Sequence, residues 1–199
     1  MNEQTNEADE TRAVYPAFLR LQGRRAVIVG GGPVAASKLG PLLAAGARVS
    51  VVAPSIHPDM RREGVVVHER PFRTRDLNGA WFVVAAAPPE INQHVVRAAE
   101  RRRVFVNAVD DASLATAYLG SVVERGGVTV AISTGGRAPA LAGLLREGLD
   151  AVLPEDLAYW VGHAEGLRPA WRAEGVPHAQ RRTLLLESLV RLYESRTQS

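Results

Sequence analysis

The chain has 199 residues, 46% hydrophobic and 23% charged, an ordinary globular mixture that excludes a largely disordered chain and fits one large domain or two small ones. It has no cysteine, which excludes disulfides, thiolate metal ligands and a cysteine nucleophile. The formal charge is +3, with Lys38 the only lysine among 24 basic residues; the one basic run, Arg101-Arg102-Arg103, has no interleaved aromatics, so nucleic acid is not an expected partner.

Residues 1–12 read as a polar, acidic tail without apolar period, unlike a signal or transit peptide, and are expected to be disordered. No apolar stretch approaches the roughly 18 residues of a membrane span. A cytoplasmic protein without a membrane partner is therefore expected. Arg25–Val29 then reads as a strand that runs into Gly30-Gly31-Gly32. Pro33 suits a first helical position, and Val34, Leu39, Leu42 and Leu43 recur at helical spacing until Gly46. Ala47–Ala53 is a further strand, stopped by Pro54. Strand, glycine turn, helix and strand within about 30 residues make a βαβ unit.

The alternation continues. Val65–His68 reads as a strand and Ala80–Ala87 as a buried one; Pro88-Pro89 opens a helix carrying Ile91, Val95, Val96 and Ala99; Val104–Val109 is the next strand. Near-continuous apolar strands alternating with helices imply an α/β fold, a Rossmann-like parallel sheet covered on both faces, over residues 13–112. After Asp111 the pattern changes. Tyr118–Glu124 and Val128–Ser133 read as strands joined by a glycine turn, and Pro139 starts a helix, closing a small β piece at 113–150. A helical part, 151–199, follows: Pro154 starts a helix, residues 166–177 read as a Gly/Pro-rich loop, and Leu185, Leu189 and Leu192 share one face of a last helix. This second part is too small to bury a good core alone and should pack on the first half or on a second subunit.

Three places carry candidate chemistry. Gly30-x-Gly32-x-x-Ala35, between a strand and a helix, is a dinucleotide-binding fingerprint. Its first glycine permits the tight turn, its second lets the backbone approach a pyrophosphate, and the helix N-terminus offers free N–H groups to the phosphates. The end of the second strand, Val52-Ala53-Pro54-Ser55, lacks the usual ribose-binding acid, and no arginine follows until Arg61, so charge there selects neither NAD nor NADP. Asn107-Ala108-Val109-Asp110-Asp111 ends a predicted central strand, where an acid either reaches a substrate or caps the next turn. Ser133-Thr134-Gly135-Gly136-Arg137 runs into the helix at Pro139, as a second anion site with Arg137 as carboxylate clamp, or as a cap and turn. The five histidines show no ligand spacing, so no pre-built metal site is expected.

Together these segments resemble the precorrin-2 dehydrogenase/sirohydrochlorin ferrochelatase family of siroheme synthesis. The resemblance runs from Tyr15-Pro16 to about residue 160 and rests on VGGGPVAASKLGPLLAAGARVSVVAP, VVAAAPPEINQHV, VFVNAVDD and VAISTGGRAPALAGLLRE. With no methyltransferase domain following, it resembles the stand-alone form. It implies NAD-dependent oxidation of precorrin-2 to sirohydrochlorin, with Asp110 as the catalytic base, ionised at neutral pH unless buried. The family's cofactor contacts fall on Gly32, Pro33, Val34, Pro54 and Ser55, and its hydroxyl position in the glycine loop on Thr134, beside Ser133; the residues themselves add Gly30, Ala35 and Ala86 to the expected cofactor contacts and Asn107, Gly135, Gly136 and Arg137 to the expected substrate contacts. It implies a homodimer formed through 113–150, and leaves open whether ferrous iron is a further substrate, since some relatives only dehydrogenate. Ala117, Gly120 and Ala138 depart from residues common in the family around the macrocycle pocket. The alternative is a non-catalytic NAD(H)-sensing module that regulates a partner. Short-chain dehydrogenases are disfavoured, because the chain has no Tyr-x-x-x-Lys.

Overall fold

The structure, a computed structural model, describes residues 14–109 and 111–197, with side chains as far as Arg191. The chain forms two compact units, divided between Leu119 and Gly120.

The first unit is built on five strands: β1 (Arg25–Val29), β2 (Arg48–Ala53), β3 (Val66–Glu69), β4 (Ala80–Ala85) and β5 (Phe105–Ala108). All pair in parallel, in the order β3-β2-β1-β4-β5. Two helices, α1 (Pro33–Ala44) and α2 (Pro89–Glu100), complete it. Alternate strand residues divide between two cores. Ala26, Ile28, Val49, Val51 and Val84 pack with Ala35, Leu39 and Leu42 of α1, while Val27, Val29, Val83 and Val106 pack with Val95, Val96 and Ala99 of α2. Val27, Ile28, Val51, Val83 and Val84 are wholly shielded, each worth roughly 1.5–3 kcal/mol over exposure. Burial on both faces explains why these strands read as unbroken apolar runs.

Two strand expectations need correction. Ala80–Ala87 is not buried throughout: Trp81 is half exposed, with the Arg24 guanidinium carbon 3.8 Å from its ring centre, and the strand stops at Ala85. The strand before Asp110 is not central but the sheet's edge. Its outer side is covered nonetheless. The Val106 N–H donates to the Thr116 hydroxyl at 2.8 Å, and its carbonyl accepts from the Thr116 and Ala117 N–H groups, each at 2.9 Å. Such covering removes the open edge that would otherwise template aggregation.

The second unit holds an antiparallel hairpin, β6 (Ser121–Arg125) and β7 (Val128–Ile132), and helices α3 (Pro139–Val152), α4 (Leu157–Ala173) and α5 (His178–Thr197). Gly126 and Gly127 turn the hairpin with φ of +57° and +82°, the pair of positive values that a two-residue turn matching the strand twist requires. Arg125 ties the hairpin to α3, its guanidinium bonding Asp150 at 2.7 Å and the Leu153 carbonyl. The expected loop at 166–177 is mostly helix. α4 runs through Gly166 and Pro169 to Ala173, because a proline removes one donor without forbidding the turns on either side. The stop is Gly175, at φ +67°, where the Gly175 and Val176 N–H groups bond the Arg172 and Trp171 carbonyls, a left-handed C-terminal cap. The helix expected from Pro154 begins at Leu157. α5 meets α4 through a 2.6 Å hydrogen bond between His163 Nε2 and the Ser188 hydroxyl. No helix among the described residues is long and apolar enough to cross a membrane.

Candidate functional site

In an open parallel sheet, ligands bind beyond the carboxyl ends of the strands, where the strand order reverses. Here that point lies between β1 and β4, so the loop after β1 and the residues after β4 flank it.

The loop after β1 holds three glycines for different reasons. A Cβ on Gly30 would overlap the Ala86 carbonyl oxygen, and Gly30 sits at φ +133°. A Cβ on Gly31 would overlap the Ser55 carbonyl oxygen. These two are held from both sides: Gly30 N–H donates to the Val52 carbonyl at 3.1 Å, and the Gly31 carbonyl accepts from His57 N–H at 2.8 Å. Gly32 differs. It is exposed, has nothing within 4 Å of where a Cβ would stand, and caps α1 in an extended conformation open to any residue. Internal packing therefore demands glycine at 30 and 31, while at 32 glycine leaves room in front of a helix N-terminus. Space, free N–H groups and a favourable dipole coincide there, which fits a dinucleotide pyrophosphate.

The remaining dinucleotide candidates distribute around this loop. Pro33 and Val34 are exposed on the first turn of α1. Ala35 is fully buried in the α1 core, so it serves close helix–sheet packing, the usual role of the third fingerprint position. Pro54 and Ser55 are exposed beyond β2, and Ala86 is half-buried beyond β4. The loop after β4 is fixed by Asn92, buried in α2, whose Oδ1 accepts from the Ala87 N–H at 2.9 Å. The sequence reading missed Asn92, although its spacing to Val95, Val96 and Ala99 marks the inward face, while Ile91 of the same turn is exposed. It missed Gly31 as well, since only the fold brings Ser55 against it.

At the end of β5, Asn107 is half-buried and donates from Nδ2 to the Ala117 carbonyl at 3.1 Å, holding the segment that covers the sheet edge. Asp110 lies outside the described residues, as does the expected tail at 1–12. Asp111 is exposed and caps the turn at Ala112–Leu114, accepting from the Ser113 hydroxyl at 2.6 Å and its N–H at 3.0 Å. The Ser113 hydroxyl, then the backbone donors, hold its carboxyl below the usual aspartate range. The turn-capping reading of a strand-end acid therefore applies to Asp111.

Ser133, Thr134, Gly135, Gly136 and Arg137 belong to the second unit. They form a tight loop: the Ser133 hydroxyl accepts from Gly135 N–H at 3.1 Å, and the Thr134 hydroxyl from Ala138 N–H at 3.1 Å, the residue that caps α3. Arg137 N–H and Nε both donate to the Thr134 carbonyl. The tight turn is thus present, while the N-cap of α3 is Ala138, with no side-chain cap; Gly136 and Arg137 are exposed at the head of α3.

Comparison with known proteins follows the same division. A family described as "Putative NAD(P)-binding" matches residues 17–121, and one described as "Sirohaem biosynthesis protein central" matches residues 125–151. Siroheme synthase 3 of Aeromonas hydrophila is 38% identical over 172 residues, covering 84% of this chain and 37% of that protein. The siroheme synthase of Salmonella arizonae is 39% identical over 172 residues, covering 84% of this chain and 38% of that protein. The chain thus spans less than two fifths of these relatives' length. The solved structure of SirC, a precorrin-2 dehydrogenase, aligns with a TM-score of 0.68 at 24% identity, covering 87% of this chain and 88% of that one. At that identity it bears on the fold.

Proposed function

Because this chain belongs to the NAD(P)-binding family that matches residues 17–121, we propose that it oxidises precorrin-2 to sirohydrochlorin with NAD. The observation that carries the cofactor part is the open space before Gly32, at the head of α1. Similarity to siroheme synthases over 84% of the chain supports the substrate. When bound, NAD accepts the hydride that leaves the macrocycle.

Gly30, Gly32, Pro33 and Val34 cradle the pyrophosphate, Ala35 seats the helix beneath it, and Pro54, Ser55 and Ala86 border the adenosine and nicotinamide halves. The proton lost with the hydride passes to the Asp110 carboxylate. Asn107 positions the strand end before that acid, and Ser133, Thr134, Gly135, Gly136 and Arg137 bind the macrocycle's carboxylates, which suits a guanidinium fork. The working form is a homodimer. Support comes from α3, whose Leu141, Leu144, Leu145, Leu149 and Val152 are all exposed, an apolar surface larger than scattered single residues explain. A dinucleotide-dependent oxidation draws on the cytoplasmic cofactor pool, so we assign it to the cytoplasm.

The test is anaerobic NADH formation from enzymatically generated precorrin-2, with wild type and Asp110→Ala. Wild type reduces NAD, and the variant binds NAD but reduces it poorly. Binding without reduction in the wild type would overturn the catalytic reading in favour of a sensor. Ferrous iron added afterwards tests metal insertion in the same sample.

A further inference from the structure

A sheet that binds NAD normally carries an acid at the end of its second strand, which accepts a hydrogen bond from the ribose 2′-OH; NADP sites place an arginine near the 2′-phosphate instead. β2 ends in Ala53-Pro54-Ser55 and carries neither. The next strand does. Glu69, the last residue of β3, is the register partner of Ala53, so the two stand side by side at the carboxyl end of the sheet and project from the same face. The side chain of Glu69 is about half exposed at 51%, and so is open to a ligand.

An arginine is there as well. Arg61 Nη2 donates to Glu69 Oε2 at 2.8 Å, its own side chain 50% exposed. Its neighbour Arg62 is engaged elsewhere, donating from Nε to the Asp59 carbonyl at 2.7 Å. The carboxyl end of β3, beside that of β2, thus holds one carboxylate and one guanidinium, paired with each other.

Resting on the dinucleotide reading above, we propose that Glu69 supplies from β3 the acid that β2 lacks, and that by occupying Arg61 it makes the site select NAD over NADP. A 2′-hydroxyl can donate to the free oxygen of Glu69. A 2′-phosphate meets a carboxylate at close range and an arginine whose charge is already balanced. An exposed ion pair contributes little to stability, so removing it leaves the fold intact.

The experiment is calorimetric titration of the full chain with NADH and with NADPH, for wild type, Glu69→Gln, and Glu69→Gln combined with Arg61→Ala. Wild type binds NADH more tightly. In Glu69→Gln, NADH weakens and NADPH strengthens by about threefold each, so the ratio moves by about tenfold, as expected for exposed charges. Arg61→Ala in that background removes the NADPH gain, and all three proteins keep the same melting temperature. A ratio within twofold of wild type in Glu69→Gln, or a wild type that prefers NADPH, overturns the assignment while the dinucleotide reading stands. A wild type that binds neither compound overturns both.

Discussion

The carbonyl oxygen of Ser55 occupies the space that a side chain on Gly31 would need. The end of β2 and the glycine loop after β1 are therefore pressed together, at the point to which the proposed function assigns the ribose and the pyrophosphate of a dinucleotide. One residue on, at Gly32, the space is open. Neighbouring glycines thus serve opposite purposes.

That contrast separates folding from binding. Gly31→Ala forces backbone against backbone and is expected to destabilise the protein by about 1–3 kcal/mol, the usual cost of overpacking. Gly32→Ala should stay within about 1 kcal/mol of wild type, since alanine only weakens a helix cap, while losing most of its NADH affinity. Thermal denaturation and NADH titration of the two variants check both halves. Equal melting temperatures would contradict the packing argument.

Asn92 anchors the other side of the crevice. Replacing it with alanine leaves the Ala87 N–H without its acceptor, which costs about 1–3 kcal/mol for a buried donor. Chemical denaturation should record that loss. NADH affinity should fall as well, because Ala86 and Ala87 are no longer held beside Gly30. If Asn92→Ala lowers stability and leaves binding unchanged, the loop does not border the cofactor.

Asp76, buried after β3, receives two hydrogen bonds from Arg70, at 2.7 and 2.8 Å, and one from the Arg73 N–H at 2.8 Å. The Arg70 guanidinium, more than the backbone donor, holds its carboxyl below the usual aspartate range. A carboxyl with a depressed folded-state pKa stabilises the protein above its unfolded value, and that contribution fades as pH falls through the folded value. Asp76→Ala should therefore be about 2 kcal/mol less stable than wild type at neutral pH, and the gap should narrow in acid. Urea denaturation across pH measures it. A gap independent of pH would mean that packing alone is lost.

The exposed face of α3 makes its own prediction. Leu144 and Val152 are 65% and 73% exposed. If that face joins two copies, Leu144→Glu combined with Val152→Glu yields monomers by light scattering, with the helical content and the NADH affinity of the first unit preserved. Monomeric wild type would remove the homodimer from the functional reading.

The alternation of strands and helices, the starts at Pro33, Pro89 and Pro139, and the glycine fingerprint were all legible in the chain. Each depends on residues within about a dozen positions: an apolar period, a proline that fixes one dihedral, a glycine before a helix. The resemblance to siroheme-synthesis enzymes was legible for the same reason, being carried by short local motifs. Tertiary structure decided what depends on alignment between distant segments. Strand register placed Glu69 beside Ala53, sheet order put β5 at an edge that Thr116 and Ala117 cover, and packing turned Asn92 inward and set Ser55 against Gly31. Local sequence stated most of the elements, the helix through Gly166 and Pro169 being an exception. Which residues then meet is settled when the whole sheet buries both faces at once, because a slip of one position would turn every apolar side chain to the wrong side.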